Sequence, residues 1–213
     1  MKKKVLLPED YKKGFKVYKD NNKSARRVKL EEQAEEIMFS YTEENSIIDF
    51  VGKDFLDWLR SRIDREKYRK LLDEEQLKKF IESIRNADNF NDEGIRNVLK
   101  SAMKVYGIGP VGASAMLTLI RPEEFGVVNK YVVKALNLKG FLHVEANENG
   151  KSLSLEDAVC VEKALREIAR ETNLNKDKSF QPLKFSGECC NRNFTPRDID
   201  VALWGIGKMS KHK

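Results

Sequence analysis

Residues 105–136 read VYGIGPVGASAMLTLIRPEEFGVVNKYVVKAL, and the three glycines near the start of that stretch decide between two folds. Gly107, Gly109 and Gly112 satisfy the G-x-G-x-x-G spacing of a dinucleotide-binding turn. Such a turn needs an apolar strand before its first glycine and an acid about twenty residues beyond it to hold the ribose. Here the residues from Asn97 to Lys104 carry their apolar side chains at helical period, and no acid occurs between Glu124 and Glu145. Both requirements fail. A helix ending near Tyr106, a hairpin Gly107-Ile108-Gly109-Pro110 and a second helix from Val111 to Ile120 satisfy every residue instead. Glycine permits the tight turn, Ile108 pins it between the helices, and Ala113 is small enough to let them approach. The second helix then points its unpaired amides and positive dipole end outward, an arrangement suited to a phosphate. It would contact backbone and not base edges. A plain αα-corner with a glycine cap accounts for the turn equally well.

Outward from this stretch the helical period dominates and strand-like alternation is nearly absent. Val28, Leu30, Ala34, Ile37, Met38 and Tyr41 recur at three- and four-residue steps, as do Ile47, Ile48, Val51, Phe55, Trp58 and Leu59, then Leu77, Phe80, Ile81 and Ile84. After a polar break over 86–92, Ile95, Val98, Leu99, Ala102 and Met103 mark the helix that leads into the hairpin. Asn149-Gly150 predicts a turn in a short hairpin or loop over 141–151. Ser154 and Asp157 predict a capped helix with the stripe Ala158, Val161, Leu165 and Ile168. Thr195-Pro196-Arg197-Asp198 predicts another, with a capping hydroxyl, a proline at the first position and an acid in the first turn, stopped by Gly205 and Gly207. The expected fold is all-α, with eight or so helices behind a basic, loosely docked arm over residues 1–27 that Tyr11, Phe15 and Tyr18 pin to the body.

Composition sets the bounds. The chain has 213 residues, with 40 Lys+Arg against 34 Asp+Glu and a net charge of +6, a mild basic bias on a length that buries a core without staples. Three cysteines, Cys160, Cys189 and Cys190, contain no C-x-x-C, and His143 and His212 are the whole histidine complement. Zinc ribbons, four-cysteine iron–sulfur sites and Ser-His-Asp hydrolases have nothing to build from, so neither metal nor cofactor is expected. The apolar run Val5-Leu6-Leu7 stops at Pro8, too short for a signal or membrane segment. A cytoplasmic monomer is expected.

Gly107-Ile108-Gly109 followed by Ala113 resembles the helix-hairpin-helix of the DNA glycosylase superfamily of base-excision repair. Phe125-Gly126-Val127-Val128-Asn129-Lys130-Tyr131 through Leu136 is similar to that family's next segment, two apolar residues and an aspartate before a short helix. The closing stretch from Asp198 to Lys208, with Leu203-Trp204, resembles the last helix of archaeal 8-oxoguanine glycosylases. The resemblance covers about a third of the chain. It implies a two-lobed helical fold, 28–213, with the helix-hairpin-helix over about 95–120, a cleft, a bent duplex and an extruded nucleotide. It implies contact with duplex DNA through Gly107, Ile108, Gly109, Val111, Gly112 and Lys130, and a catalytic position at Asn129.

Two departures change the expected chemistry. The family's aspartate stabilises an oxocarbenium-like sugar, and Asn129 is neutral; loss of one such electrostatic contact costs roughly 3 kcal/mol. The lysine that attacks the sugar in bifunctional members corresponds to Val111, between Pro110 and Gly112. The leading expectation is therefore a duplex-DNA-binding protein that lacks the usual base-excision chemistry. Asn129 is then native to a pseudo-enzyme or an inactivating substitution. The alternatives are an active glycosylase acting on a damaged base through another acid, with Glu123, Glu124, Asp198 and Asp200 as candidates, and a helical protein–protein adaptor. Lys130 stands as a phosphate contact or a replacement nucleophile. The run from Arg60 to Lys70 reads as a solvated helix face, with a DNA contact as the alternative, the tail from Lys208 to Lys213 as a DNA contact or a frayed end, and Phe90 as a loop anchor or a base-stack wedge. Trp58 and Trp204 read as core, with Trp204 also placed to stack a flipped base.

Overall fold

The computed structural model describes residues 4–40, 50–55, 73–87, 90–106, 108–145, 152–176, 179–184 and 191–210. They form eight α-helices: α1 (Pro8–Lys19), α2 (Asn22–Ser40), α3 (Glu74–Arg85), α4 (Asp92–Tyr106), α5 (Pro110–Ile120), α6 (Lys130–Lys139), α7 (Leu155–Asn175) and α8 (Pro196–Met209). A π-helical turn spans Phe50–Phe55, with Phe50, Val51 and Phe55 buried. Among the described residues there is no strand beyond a single bridge residue at Leu183, and no helix is long and apolar enough to cross a membrane. Gly107, Trp58, the Arg60 to Lys70 run, the Asn149-Gly150 turn, Cys189, Cys190 and residues 211–213 lie outside the described residues.

α5 is the centre of the fold because its sequence leaves it no polar face. Every residue from Gly112 to Ile120 is buried, as expected of a helix that is apolar all round. Its two hydroxyls turn back onto the helix itself: Ser114 donates to the Val111 carbonyl (3.0 Å) and Thr118 to the Ser114 carbonyl (2.7 Å). α2, α3, α4 and α7 pack around it, while α8 packs on α1, α6 and α7. Both predicted capping boxes are present, Ser154 with Asp157 on α7 and Thr195 with Asp198 on α8.

Three readings need correction. The amino-terminal stretch is not loosely docked: Leu6, Tyr11, Phe15 and Tyr18 are buried and α1 lies along α8. α2 begins at Asn22, six residues before the predicted start, so Arg27 falls inside it and is 1% exposed. The arginine is tolerated there because Glu31, one turn on, takes its Nε at 2.8 Å and the Ala115 carbonyl takes its Nη2 at 3.1 Å. Gly205 and Gly207 do not stop α8, which runs through both to Met209. They are contact points: a Cβ at Gly205 would run into the Gly14 carbonyl of α1, and one at Gly207 into the Tyr131 carbonyl of α6. Phe90 is an anchor, 5% exposed, edge-on to Phe125 at 4.9 Å, with the Arg121 and Arg166 guanidiniums over its ring.

Candidate functional site

Between α5 and α6 the backbone is held by side chains from three helices. The Gly126 amide donates to Glu162 Oε2 of α7 (3.1 Å), Val127 to Asp200 Oδ2 of α8 (2.6 Å) and Val128 to Ser114 Oγ of α5 (3.0 Å). Asn129 follows as the cap of α6: its Oδ1 accepts from the Tyr131 amide (2.9 Å) and the Val132 amide (3.2 Å), while its Nδ2 donates to the Val127 carbonyl (3.3 Å). Leaving such a buried amide unpaired costs about 1–3 kcal/mol. Three successive amides with three separate acceptors therefore fix one backbone geometry up to Asn129. Because Ser114 also bonds the first turn of α5, its hydroxyl ties the start of α5 to the start of α6.

A cavity of about 460 Å³ opens beside Asn129. Val111 and Ala115 of α5 form one wall, and Asn129, Lys130 and Tyr131 another. Trp204 adds an aromatic surface, set edge-on to Tyr18 and to Tyr131, each at 5.4 Å. Lys130 is exposed, with Nζ 5.4 Å from the Tyr131 ring, and Lys208 Nζ lies 4.8 Å from the Trp204 ring.

Ser152 and Leu153 also line the cavity, and Tyr18, Arg27, Arg197 and Asp200 close it as parts of an ionic chain that Glu31 completes from behind. Asp200 Oδ1 accepts from Arg197 Nη1 (2.6 Å), and Arg197 Nη2 meets the Tyr18 hydroxyl (2.7 Å) and Glu31 Oε1 (2.8 Å), which also meets Arg27 Nε (2.8 Å). Asp200 is fully buried. Burial pushes its carboxyl up to about 6, against the lowering effect of Arg197 and of the Val127 amide. Burial also pushes Glu31 up, but the Arg197 and Arg27 guanidiniums more than offset this and hold it below the ordinary range. Arg197 itself stays charged, since Asp200 and Glu31 outweigh its own desolvation.

The structure brings Val111, Asn129 and Lys130 to one cavity. Ile108 is buried, Gly109 is exposed at the start of α5, and Gly112 is buried within it. Of the four candidate acids, Asp200 alone lines this cavity among the described residues. Glu123 pairs with Arg121, Glu124 pairs with Arg166 at 2.7 Å, and Asp198 is held by Arg192 at 2.6 and 2.9 Å and by the Thr195 cap. The sequence reading missed Arg27, Glu31, Arg197 and Ser114. Arg27 and Glu31 are spaced four apart, the one signal that pointed to their pairing. His143 is exposed, and no group of three or more metal-ligating side chains occurs among the described residues. Compared with family models, curated proteins and solved structures, the chain matches none.

Proposed function

We propose that the chain is a duplex-DNA-binding protein of the helix-hairpin-helix glycosylase type, two-lobed, working as a cytoplasmic monomer and lacking the usual base-excision chemistry. The observation that carries this reading is the meeting of Val111, Asn129 and Lys130 at one aromatic-walled cavity. These are the positions that the resemblance equates with the lyase lysine, the catalytic aspartate and a phosphate contact. Gly109 supports the same reading. Its backbone (φ −71°, ψ 175°) is one that any residue adopts, and a Cβ there would meet nothing within 4 Å among the described residues. The fold does not need a glycine at this point, whereas a phosphate approaching the first amides of α5 does. Asn129 caps α6 with its oxygen and is neutral, so a developing sugar cation finds no carboxylate at position 129.

Salt dependence tests this directly. Binding to a duplex of about 20 base pairs is expected to weaken steeply with rising salt as counterions are released, and absence of binding at low salt overturns the reading. The second reading, an active glycosylase, is favoured by one observation: Asp200, a carboxyl held at about 6, lines the cavity. Excision of an oxidised, deaminated or alkylated base by the unaltered chain, lost in Asp200→Asn, would establish it. A gain of excision in Asn129→Asp would instead make residue 129 the element that withholds the chemistry.

A further inference from the structure

Glu162 and Asp200 grip neighbouring amides of the same backbone from two different helices. Gly126 is packed so tightly that a Cβ there would stand 2.6 Å from Leu165 Cδ1, 3.0 Å from the Pro196 carbonyl oxygen and 3.1 Å from Asp200 Oδ2. Both carboxyl groups are fully buried. Their surroundings differ. Asp200 has Arg197 on its own helix at 2.6 Å, with Glu31 and Arg27 of α2 and the Tyr18 hydroxyl of α1 behind it. Glu162 feels the charge of Asp200 from α8 and that of Arg166 one turn along α7, whose Nη2 meets Glu124 at 2.7 Å and whose Nη1 is buried with no hydrogen-bond partner among the described residues. Glu162 Oε1 likewise has no hydrogen-bond partner among the described residues.

We propose that Glu162 and Asp200 act as one charge-sharing pair that latches residues 126–129, with the charge held on Asp200 and Glu162 kept as a neutral acid, and that a second charge opens the latch. Two carboxylates across one peptide unit do not ionise independently, and Arg197 decides which of them carries the charge. Burial raises Glu162 well above the ordinary range, and the charge on Asp200 adds to that, against the Gly126 amide and Arg166. Among the described residues a carboxylate formed at Glu162 has one hydrogen-bond donor, the Gly126 amide, and the attraction of Arg166 against its burial and the charge on Asp200, and we take the balance to drive it toward water. The backbone it holds leads straight into Asn129 and Lys130 at the cavity, so the pair sets whether these two residues face it. The latch does not depend on what the cavity binds.

Amide resonances of the whole chain, followed by NMR from about pH 4 to about pH 10, read both carboxyls through the amides they hold. Val127 is expected to titrate with a midpoint at about 6 and Gly126 with a separate, higher one. In Asp200→Asn the Gly126 midpoint falls by about one unit or more, since the like charge is gone. In Glu162→Gln the Gly126 step vanishes and the Val127 midpoint stays, because Glu162 is already neutral when Asp200 titrates. Above the Gly126 midpoint, exchange of the Val128 amide rises with pH more steeply than base catalysis alone predicts, because protection is lost, in the native chain but not in Glu162→Gln. A single shared midpoint, a Gly126 step that survives Glu162→Gln, or Val128 exchange alike in both proteins overturns the proposal. If Asp200→Asn does not fold, the native chain and Glu162→Gln decide it alone.

Discussion

Two helices begin at the cavity, and they begin differently. α6 opens at Asn129, whose own side chain takes the Tyr131 and Val132 amides and closes the helix end. α5 opens at Gly109 and Pro110, with no capping side chain among the described residues and no amide on the proline. An anion approaching the two ends meets a finished cap on one and open backbone donors on the other. The contrast separates two roles that a helix start can play. At α6 the side chain at position 129 is used to hold the fold, and at α5 the missing side chain leaves the surface accessible.

The largest expected effect comes from the acid behind the α6 start. Asp200 titrates at about 6 in the fold against an ordinary 3.8, so the folded chain binds this proton more tightly than the unfolded one. The stability it contributes is complete below about 3.8 and is lost as pH rises through about 6, a change on the order of 3 kcal/mol. Denaturant unfolding of the native chain and of Asp200→Asn, compared from about pH 4 to about pH 7, should show that this portion of the slope disappears in the variant. Glu31, held below its ordinary value, acts in the opposite sense, and its contribution is retained in both proteins.

Ser114→Ala comes next because it removes the one hydroxyl common to both helix starts. It strands the buried Val128 amide, and a loss of about 2 kcal/mol is expected in the same unfolding assay. A smaller effect belongs to Asn129→Ala, which uncaps α6 for about 1 kcal/mol. That variant should leave duplex binding by the α5 end nearly intact. If it abolishes binding while the chain stays folded, the two ends are not separate in role.

Much of the fold could be read because local signals carried it. Thr195-Pro196 and Ser154 with Asp157 set helix starts by hydrogen bonds made within one turn, and the apolar character of α5 announced burial without any knowledge of its neighbours. What escaped was decided between distant segments. Gly205 looked like a stop because its partner, Gly14, lies far away in the sequence, and only the crossing of α1 and α8 shows that both glycines serve close approach. Arg27 looked like one more cation in a basic stretch, and its burial depends on the Ala115 carbonyl as well as on Glu31. At the site, residue 129 stood out through the resemblance, but its engagement as a cap follows from backbone geometry fixed by Glu162, Asp200 and Ser114 on three other helices.

The contrast between an open and a closed helix start is tested most directly by titrating a duplex of about 20 base pairs with Gly109→Ala beside the native chain at low salt. Among the described residues the added methyl meets nothing within 4 Å, so the chain should stay folded, losing at most the N-cap preference of Gly over Ala, about 1 kcal/mol. Affinity should fall about tenfold, ~1.4 kcal/mol, with a shallower dependence on salt as a phosphate contact is lost. Equal affinity and equal salt dependence in the two proteins would contradict the account, because the open start of α5 would then not be where the duplex is held.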